Sequence, residues 1–244
     1  MSGIGREFME KTKYQYLGKS DQDQGLPQPP LELSYLDDAV LIDLPGIEQI
    51  KVKELELATA MDQRRTLRKY SSEPLSMEDL AYLLWYTQGV QRVTSRPVTL
   101  RTVPSAGARH SFETYLLINN VIGLGAGLYK YVALEHRLMV VSQEAGLSEK
   151  ITLSAGNQVF IRDSAVTFIW TAVVYRMKWR YGERAYRYVH LDAGHVCQNL
   201  YLSAQSIQGG VCAIAAFDDD ELNRLLGLDG EQQFAVYMAT VGKL

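Results

Sequence analysis

The sequence predicts an α+β fold in which a mixed sheet is flanked by helices, and three observations lead there. Strand-like and helix-like stretches do not alternate one for one, as a doubly wound parallel architecture would require. Ala165 to Val174 is a near-continuous apolar run, the pattern of a central strand covered on both faces. A long helical stretch from Glu183 to about Gln208 carries Tyr188, Leu191, His195, Gln198, Asn199 and Leu202, so it packs on several sides.

Residues 1–50 differ in texture from the remainder. Lys19 to Gly25 is polar, and Leu26-Pro27-Gln28-Pro29-Pro30 imposes extended or turn geometry. This stretch reads as an arm wrapping the body or a partner subunit, followed by one domain over 51–244. Leu55, Ala58 and Met61 keep helical spacing up to an arginine cluster at 64–68. Ser76 to Asp79 opens a helix with capping-box chemistry. Leu80, Leu83, Leu84 and Thr87 follow on one face until Gly89 stops it. Tyr115–Asn119, Gly127–Val132 and Leu138–Val141 read as strands joined by short turns. Ser148–Gln158 reads as a helix, followed by the central strand and the long helix. A strand Val211–Ile214, a short helix Asp218–Leu226 and a strand Phe234–Val241 close the chain.

Bulk properties narrow the function. With 47% hydrophobic and 22% charged residues, the 244-residue chain has an ordinary globular composition. A formal net charge of −3 gives no reason to expect nucleic acid or an anionic membrane as partner. The two cysteines, Cys197 and Cys212, sit in apolar stretches without C-x-x-C spacing, so buried thiols in a reducing compartment are expected. No signal-peptide pattern is visible, and the longest apolar run is too short to span a bilayer. A soluble, cytoplasmic protein is the expectation.

Several tempting motifs fail. Gly123-Leu124-Gly125-Ala126-Gly127 has the wrong glycine spacing for a dinucleotide fingerprint and leads into a strand rather than a helix. His190 and His195, five apart on a helix, point about 140° away from each other and cannot share a metal. Ser105 lacks the leading glycine of a nucleophile elbow.

Three clusters survive. Arg64-Arg65-Thr66-Leu67-Arg68-Lys69-Tyr70 puts four cations and a hydroxyl at a helix exit. Arginine forks suit phosphate, although such a cluster alone can equally be a solvated helix end that complements the dipole. Pro104-Ser105-Ala106-Gly107 is a loop whose small side chains admit close backbone approach. Gly209-Gly210 releases the long helix into a small-residue strand, after which Ala215 and Ala216 can present bare backbone donors to a flat cofactor.

Taken in order, these pieces resemble the nitroreductase superfamily, and within it the SagB-like branch that includes thiazole- and oxazole-forming peptide dehydrogenases. The resemblance covers about residues 51–244. It also runs through Gly127-Leu128-Tyr129, Tyr181 to Tyr188, Leu191 to Leu200, Ile214 to Asp220 and Val241-Gly242-Lys243. It implies a largely antiparallel sheet and a homodimer that clasps FMN between its subunits. By resemblance, Arg64, Thr66 and Arg68, with Arg65 beside them, hold the phosphate, ribityl chain and pyrimidine oxygens. Lys243 assists at the phosphate, and Pro104, Ser105, Ala106 and Gly107 come from the other subunit. Gln158 offers an amide to the pyrimidine edge. The N–H of Ala215 or Ala216 faces flavin N5, where family members more often carry glycine.

One departure bears on chemistry. The peptide-oxidising relatives carry a Lys-Tyr pair where this chain has Arg180-Tyr181, and an arginine stays protonated where a desolvated lysine can act as a base. Reduction of a small acceptor such as a nitroaromatic or quinone by NAD(P)H is therefore expected. Dehydrogenation of a peptide azoline, or a non-catalytic flavin-binding role within a complex, are the alternatives.

Overall fold

The computed structural model describes residues 3–244. Its described residues form strands β1 (Leu41–Asp43), β2 (Val90–Val93), β3 (Thr99–Arg101), β4 (Phe112–Ile118), β5 (Gly127–Val132), β6 (Arg137–Ser142), β7 (Val166–Val173), β8 (Gly209–Ile214) and β9 (Gln233–Lys243). The helices are α1 (Ile4–Lys11), α2 (Leu57–Gln63), α3 (Met77–Gln88), α4 (Leu147–Ser154), α5 (Phe160–Asp163), α6 (Val174–Tyr181), α7 (Ala185–Ser206) and α8 (Asp219–Leu226). Seven strands form one sheet in the order β1-β6-β5-β4-β7-β9-β8, while β2 and β3 make a separate hairpin.

Every neighbouring pair in the sheet is antiparallel. The parallel component is confined to isolated bridges at Thr66–Val211 and Leu75–Val121. The short turns between β4, β5 and β6 permit only antiparallel pairing. The central apolar run is β7, between β4 and β9.

Strict alternation along the strands splits the core into two layers. Leu116, Ile118, Phe168, Trp170, Ala239 and Val241 pack with Leu83 and Leu84 of α3 and Val196 and Leu200 of α7. The intervening Leu117, Ile169 and Met238 face the other way, onto Leu147, Ile151, Ile161 and Leu222. Both faces of β7 are thus covered, which is why its sequence reads almost entirely apolar, with only the buried Thr167 and Thr171 as polar positions. Each fully buried large side chain in these layers contributes about 1.5–3 kcal/mol over its exposed state.

Four local expectations change. The central strand stops at Val173, because Val174 and Met177, both buried, take helical spacing and begin α6. The expected helix 148–158 stops at Ser154, before Gly156 and Asn157 adopt positive φ, and a separate short helix follows at Phe160–Asp163. The long helix begins at Ala185, after a single 3-10 turn at Gly182–Arg184. The first fifty residues contribute α1 and also the edge strand β1, paired to β6 at Leu41–Met139. No helix among the described residues is long and apolar enough to cross a membrane. Cys197 and Cys212 are buried and unpaired, and burial pushes the Cys197 thiol up to about 12.

Candidate functional site

The arginine cluster leaves α2 along the edge of β8. Leu67 donates its N–H to the Val211 carbonyl at 2.9 Å, and Thr66 bridges Val211, so the segment extends the sheet. Gly210 makes this approach possible, since a Cβ there would lie 3.0 Å from Leu67 Cβ and 2.7 Å from Leu244 Cδ2. Gly209 and Gly210 are themselves buried, so they act by admitting Leu67 rather than by facing open space.

The cations then part company. Arg65 folds back to donate to the carbonyls of Asp62 (2.6 Å) and Arg64 (2.8 Å), where it complements the C-terminal end of α2. Arg64 lies over the ring of Tyr201 at 5.3 Å, and Arg68 over Phe160 at 6.0 Å. Among the described residues neither has a carboxylate partner. Thr66 Oγ1 is 3.1 Å from the Tyr201 hydroxyl, which accepts the Ala213 N–H at 3.0 Å. Lys243 pairs with Gly209 across β8 and β9. Its amine donates to the Ile207 carbonyl (2.7 Å) and meets Asp79 of the α3 capping box at 3.0 Å.

Past Arg68 the same edge continues to Gln158 and the alanines. Gln158 Nε2 donates to the Ala216 carbonyl (3.1 Å) and the Ala155 carbonyl (2.8 Å). Ala215 and Ala216 are exposed, and neither N–H has a partner among the described residues. A cleft of about 550 Å³ opens beside Gln158, Ala216 and Phe217.

A second cluster forms toward the N-terminal end of α7. Asp192, buried on that helix, accepts Ser105 Oγ–H at 2.5 Å and the Ala106 N–H at 3.2 Å, and Ser105 Oγ accepts the His110 N–H. Burial raises the Asp192 pKa against the opposing pull of those two hydrogen bonds. Gly107, with φ of 57°, lies against Arg180 and Tyr181: a Cβ there would collide with the Tyr181 hydroxyl and sit 3.0 Å from Arg180 Nε. Burial and the Arg180 charge lower the pKa of Arg109. His110, buried beside Arg101 and Arg109, is held down to about 3, chiefly by desolvation.

Thus Arg64, Thr66, Arg68, Gln158, Ala215 and Ala216 line one edge, and Pro104 to Gly107 join Arg180 and Tyr181 elsewhere. Asp192 and Tyr201 anchor the two groups from the same helix, nine residues and about 13 Å apart along its axis. Sequence reading missed both anchors. The available signal for Asp192 was a carboxylate at an inward-facing position of an otherwise apolar helix stripe.

An antiparallel α+β domain with unpaired arginines and bare N–H donors along one edge defines a class of protein able to hold a flat, anionic ligand. The chain belongs to the nitroreductase family, whose model matches residues 61–243. It is 33% identical over 209 residues to a nitroreductase-family protein of Methanocaldococcus jannaschii, covering 85% of this chain and 98% of that one. It is 30% identical over 172 residues to a trifolitoxin-processing protein of Rhizobium leguminosarum bv. trifolii, covering 66% of this chain but only 40% of that protein. These similarities are consistent with the SagB-like branch. Among solved structures, a nitroreductase-family protein of Anabaena variabilis superposes with a TM-score of 0.69 at 27% identity, over 85% of this chain and 42% of that one. A Desulfovibrio desulfuricans protein in complex with FMN has a TM-score of 0.54 at 17% identity, over 78% and 87%.

Proposed function

We propose that the protein is an FMN-dependent oxidoreductase that passes hydride from NAD(P)H to a small oxidised acceptor such as a nitroaromatic or quinone. The observation that carries this reading is the Arg64–Ala216 edge, with two unneutralised guanidinium groups at one end and two unpartnered N–H donors at the other. That donor set fits a phosphate-bearing, planar group, and the FMN complex of a protein sharing this fold supports the same assignment. A bound flavin would supply the two-electron carrier, so that NAD(P)H is oxidised to NAD(P)+ and a quinone gains a hydride and a proton to become the hydroquinone.

The chain's own residues prepare that site. Arg64 and Arg68 hold the phosphate, Thr66 adds a neutral donor, and Gln158 fixes the pyrimidine edge. Small side chains at Ala215 and Ala216 leave the backbone donors aimed at developing charge. Lys243, engaged by Asp79, contributes its charge at longer range.

The same reading makes the protein a homodimer with shared sites. Leu191, Gly194, His195 and Gln198 form an exposed stripe on α7, with Leu191 60% exposed. A two-fold axis through this stripe sets two copies of α7 antiparallel. The Asp192 end of one protomer then meets the Tyr201 end of its partner, joining the Pro104–Gly107 loop of one to the basic edge of the other.

The similarity to a peptide-processing protein favours azoline dehydrogenation as a second reading, but Arg180 cannot serve as the base that reaction needs. Purification decides the matter: noncovalent FMN released by heat, with visible bands bleached by NAD(P)H, is expected. FAD alone, or no flavin after incubation with excess FMN, overturns the proposal. A yellow protein that never oxidises NAD(P)H marks a non-catalytic flavin-binding subunit.

A further inference from the structure

The N-terminal arm is fastened to the body at two places, with an unfastened stretch between them. At the first, Arg184 donates to the Thr12 carbonyl at 2.8 Å and Arg187 Nε donates to Thr12 Oγ1 at 2.5 Å. There Tyr14 lies under the Arg184 guanidinium at 4.3 Å, with its hydroxyl 2.8 Å from that of Tyr188. At the second, Gln22 donates its N–H to the Trp179 carbonyl at 2.8 Å, Tyr175 donates to Asp21 at 2.9 Å, and Trp179 Nε1 donates to the Leu26 carbonyl at 3.0 Å. Residues 15–20 cross between these anchors and make no hydrogen bond to α6.

Under this strap lies a cavity of about 580 Å³ walled by Tyr14, Tyr16, Lys19, Tyr175, Arg180 and Tyr181. The size falls within the range of small-molecule pockets, roughly 300–1,000 Å³. Its inner wall is Arg180-Tyr181, the pair that touches Gly107, so the cavity adjoins the loop placed over the flavin in the reading above. The Tyr181 ring packs on Tyr188 at 4.7 Å, which continues the aromatic wall to Tyr14.

The charges of the wall are unequally satisfied. Lys11 pairs with Glu7, and Lys178 with Glu183. Asp21 accepts from Tyr175, and Asp23 accepts from Ser20 while feeling the Lys19 and Arg180 charges from further off. Arg180 and Lys19 form no ion pair among the described residues, one from the floor and one from the roof. A guanidinium takes a carboxylate bidentately, and tyrosine rings take a planar ring edge-on or offset.

We infer that this strap-roofed cavity is a substrate pocket for a planar aromatic carboxylate, with the carboxylate on Arg180 and Lys19 and the ring among the tyrosines. The position of the reacting end rests on the FMN reading; recognition of the carboxylate does not.

The test is isothermal titration of the full-length, oxidised protein, without reductant, with 4-nitrobenzoate and with 4-nitrobenzamide. The carboxylate is expected to bind about tenfold or more tightly, the scale of one charge-assisted contact. R180Q should erase the preference and K19Q should reduce it by about threefold, while R162Q, whose exposed guanidinium pairs with Glu149 and does not line the cavity, keeps it. Equal affinities, no binding of either probe, or an R180Q protein that retains the preference and the native circular dichroism would each overturn the inference. A carboxylate preference in a protein that never oxidises NAD(P)H supports the pocket and removes the reductase reading. Turnover of both probes with equal affinity and equal kcat/KM does the reverse.

Discussion

Arg64 and Arg68 separate the phosphate-binding reading from that of a solvated helix end, because the structure gives each a defined contact within the chain. Arg64 lies over Tyr201 and Arg68 over Phe160, and neither is neutralised by a carboxylate. Replacing either by alanine removes one exposed cation–π contact, about 0.5–1 kcal/mol of stability. For a chain of this size that lowers Tm by a few degrees, on the order of 2–4 °C per kcal/mol. If the guanidinium also holds the FMN phosphate, alanine removes a charge-assisted hydrogen bond of about 1.5–3 kcal/mol, weakening FMN by roughly 10- to 150-fold. Arg65 is the internal comparison. Its fork is already engaged by the Asp62 and Arg64 carbonyls, so R65A should weaken FMN less than either neighbour. Flavin-fluorescence quenching on titrating apo-protein with FMN at fixed ionic strength, alongside thermal melts, reads both quantities. R64A and R68A proteins that bind FMN within about twofold of wild type would refute the phosphate role, leaving the cluster a helix-end device.

Three further outcomes follow from the same geometry. L191E places a charge on the most apolar residue of the exposed α7 stripe, at its N-terminal end, and should convert a dimer to a monomer by light scattering, with loss of flavin; a variant that stays dimeric would move the interface elsewhere. His110 has a folded pKa of about 3 against an ordinary value near 6.5, so it stabilises fully above about pH 6.5. Below that the unfolded chain binds a proton the folded chain refuses, and stability falls by at most about 1.4 kcal/mol per pH unit down to about pH 3. H110N, tolerated at its φ of 41°, should lose this component, and urea unfolding at several pH values that shows identical slopes for both proteins would disprove it. Azoline peptides should not be oxidised, since no neutral lysine replaces Arg180; Tyr181-dependent oxidation detected by mass spectrometry would promote the peptide-dehydrogenase reading.

Period and punctuation made much of the fold legible from sequence. The near-continuous apolar run of β7, the Ser76–Asp79 capping box and the line of large residues on α7 are local signals, and each marks an element that exists. The order of pieces from Arg64 to Lys243 identified the family for the same reason, since residue types at fixed spacings carry it. Contacts across long sequence separations were not legible. Nothing local in Leu41–Asp43 reveals that it closes the sheet against β6, because three residues become a strand only when a partner edge is supplied. Nor does any spacing pair Asp192 with Ser105, or Gly107 with Tyr181, across more than seventy residues. Composition marked Lys19–Gly25 as part of a polar arm, yet whether the arm is loose or clamped depended on Arg184 and Arg187 meeting Thr12 and on Trp179 meeting Gln22 and Leu26. The sequence alone determined which side chains are present and which local conformations they favour. The tertiary structure decided which of them stay unpaired, and an arginine becomes a binding group only where the fold brings it no carboxylate.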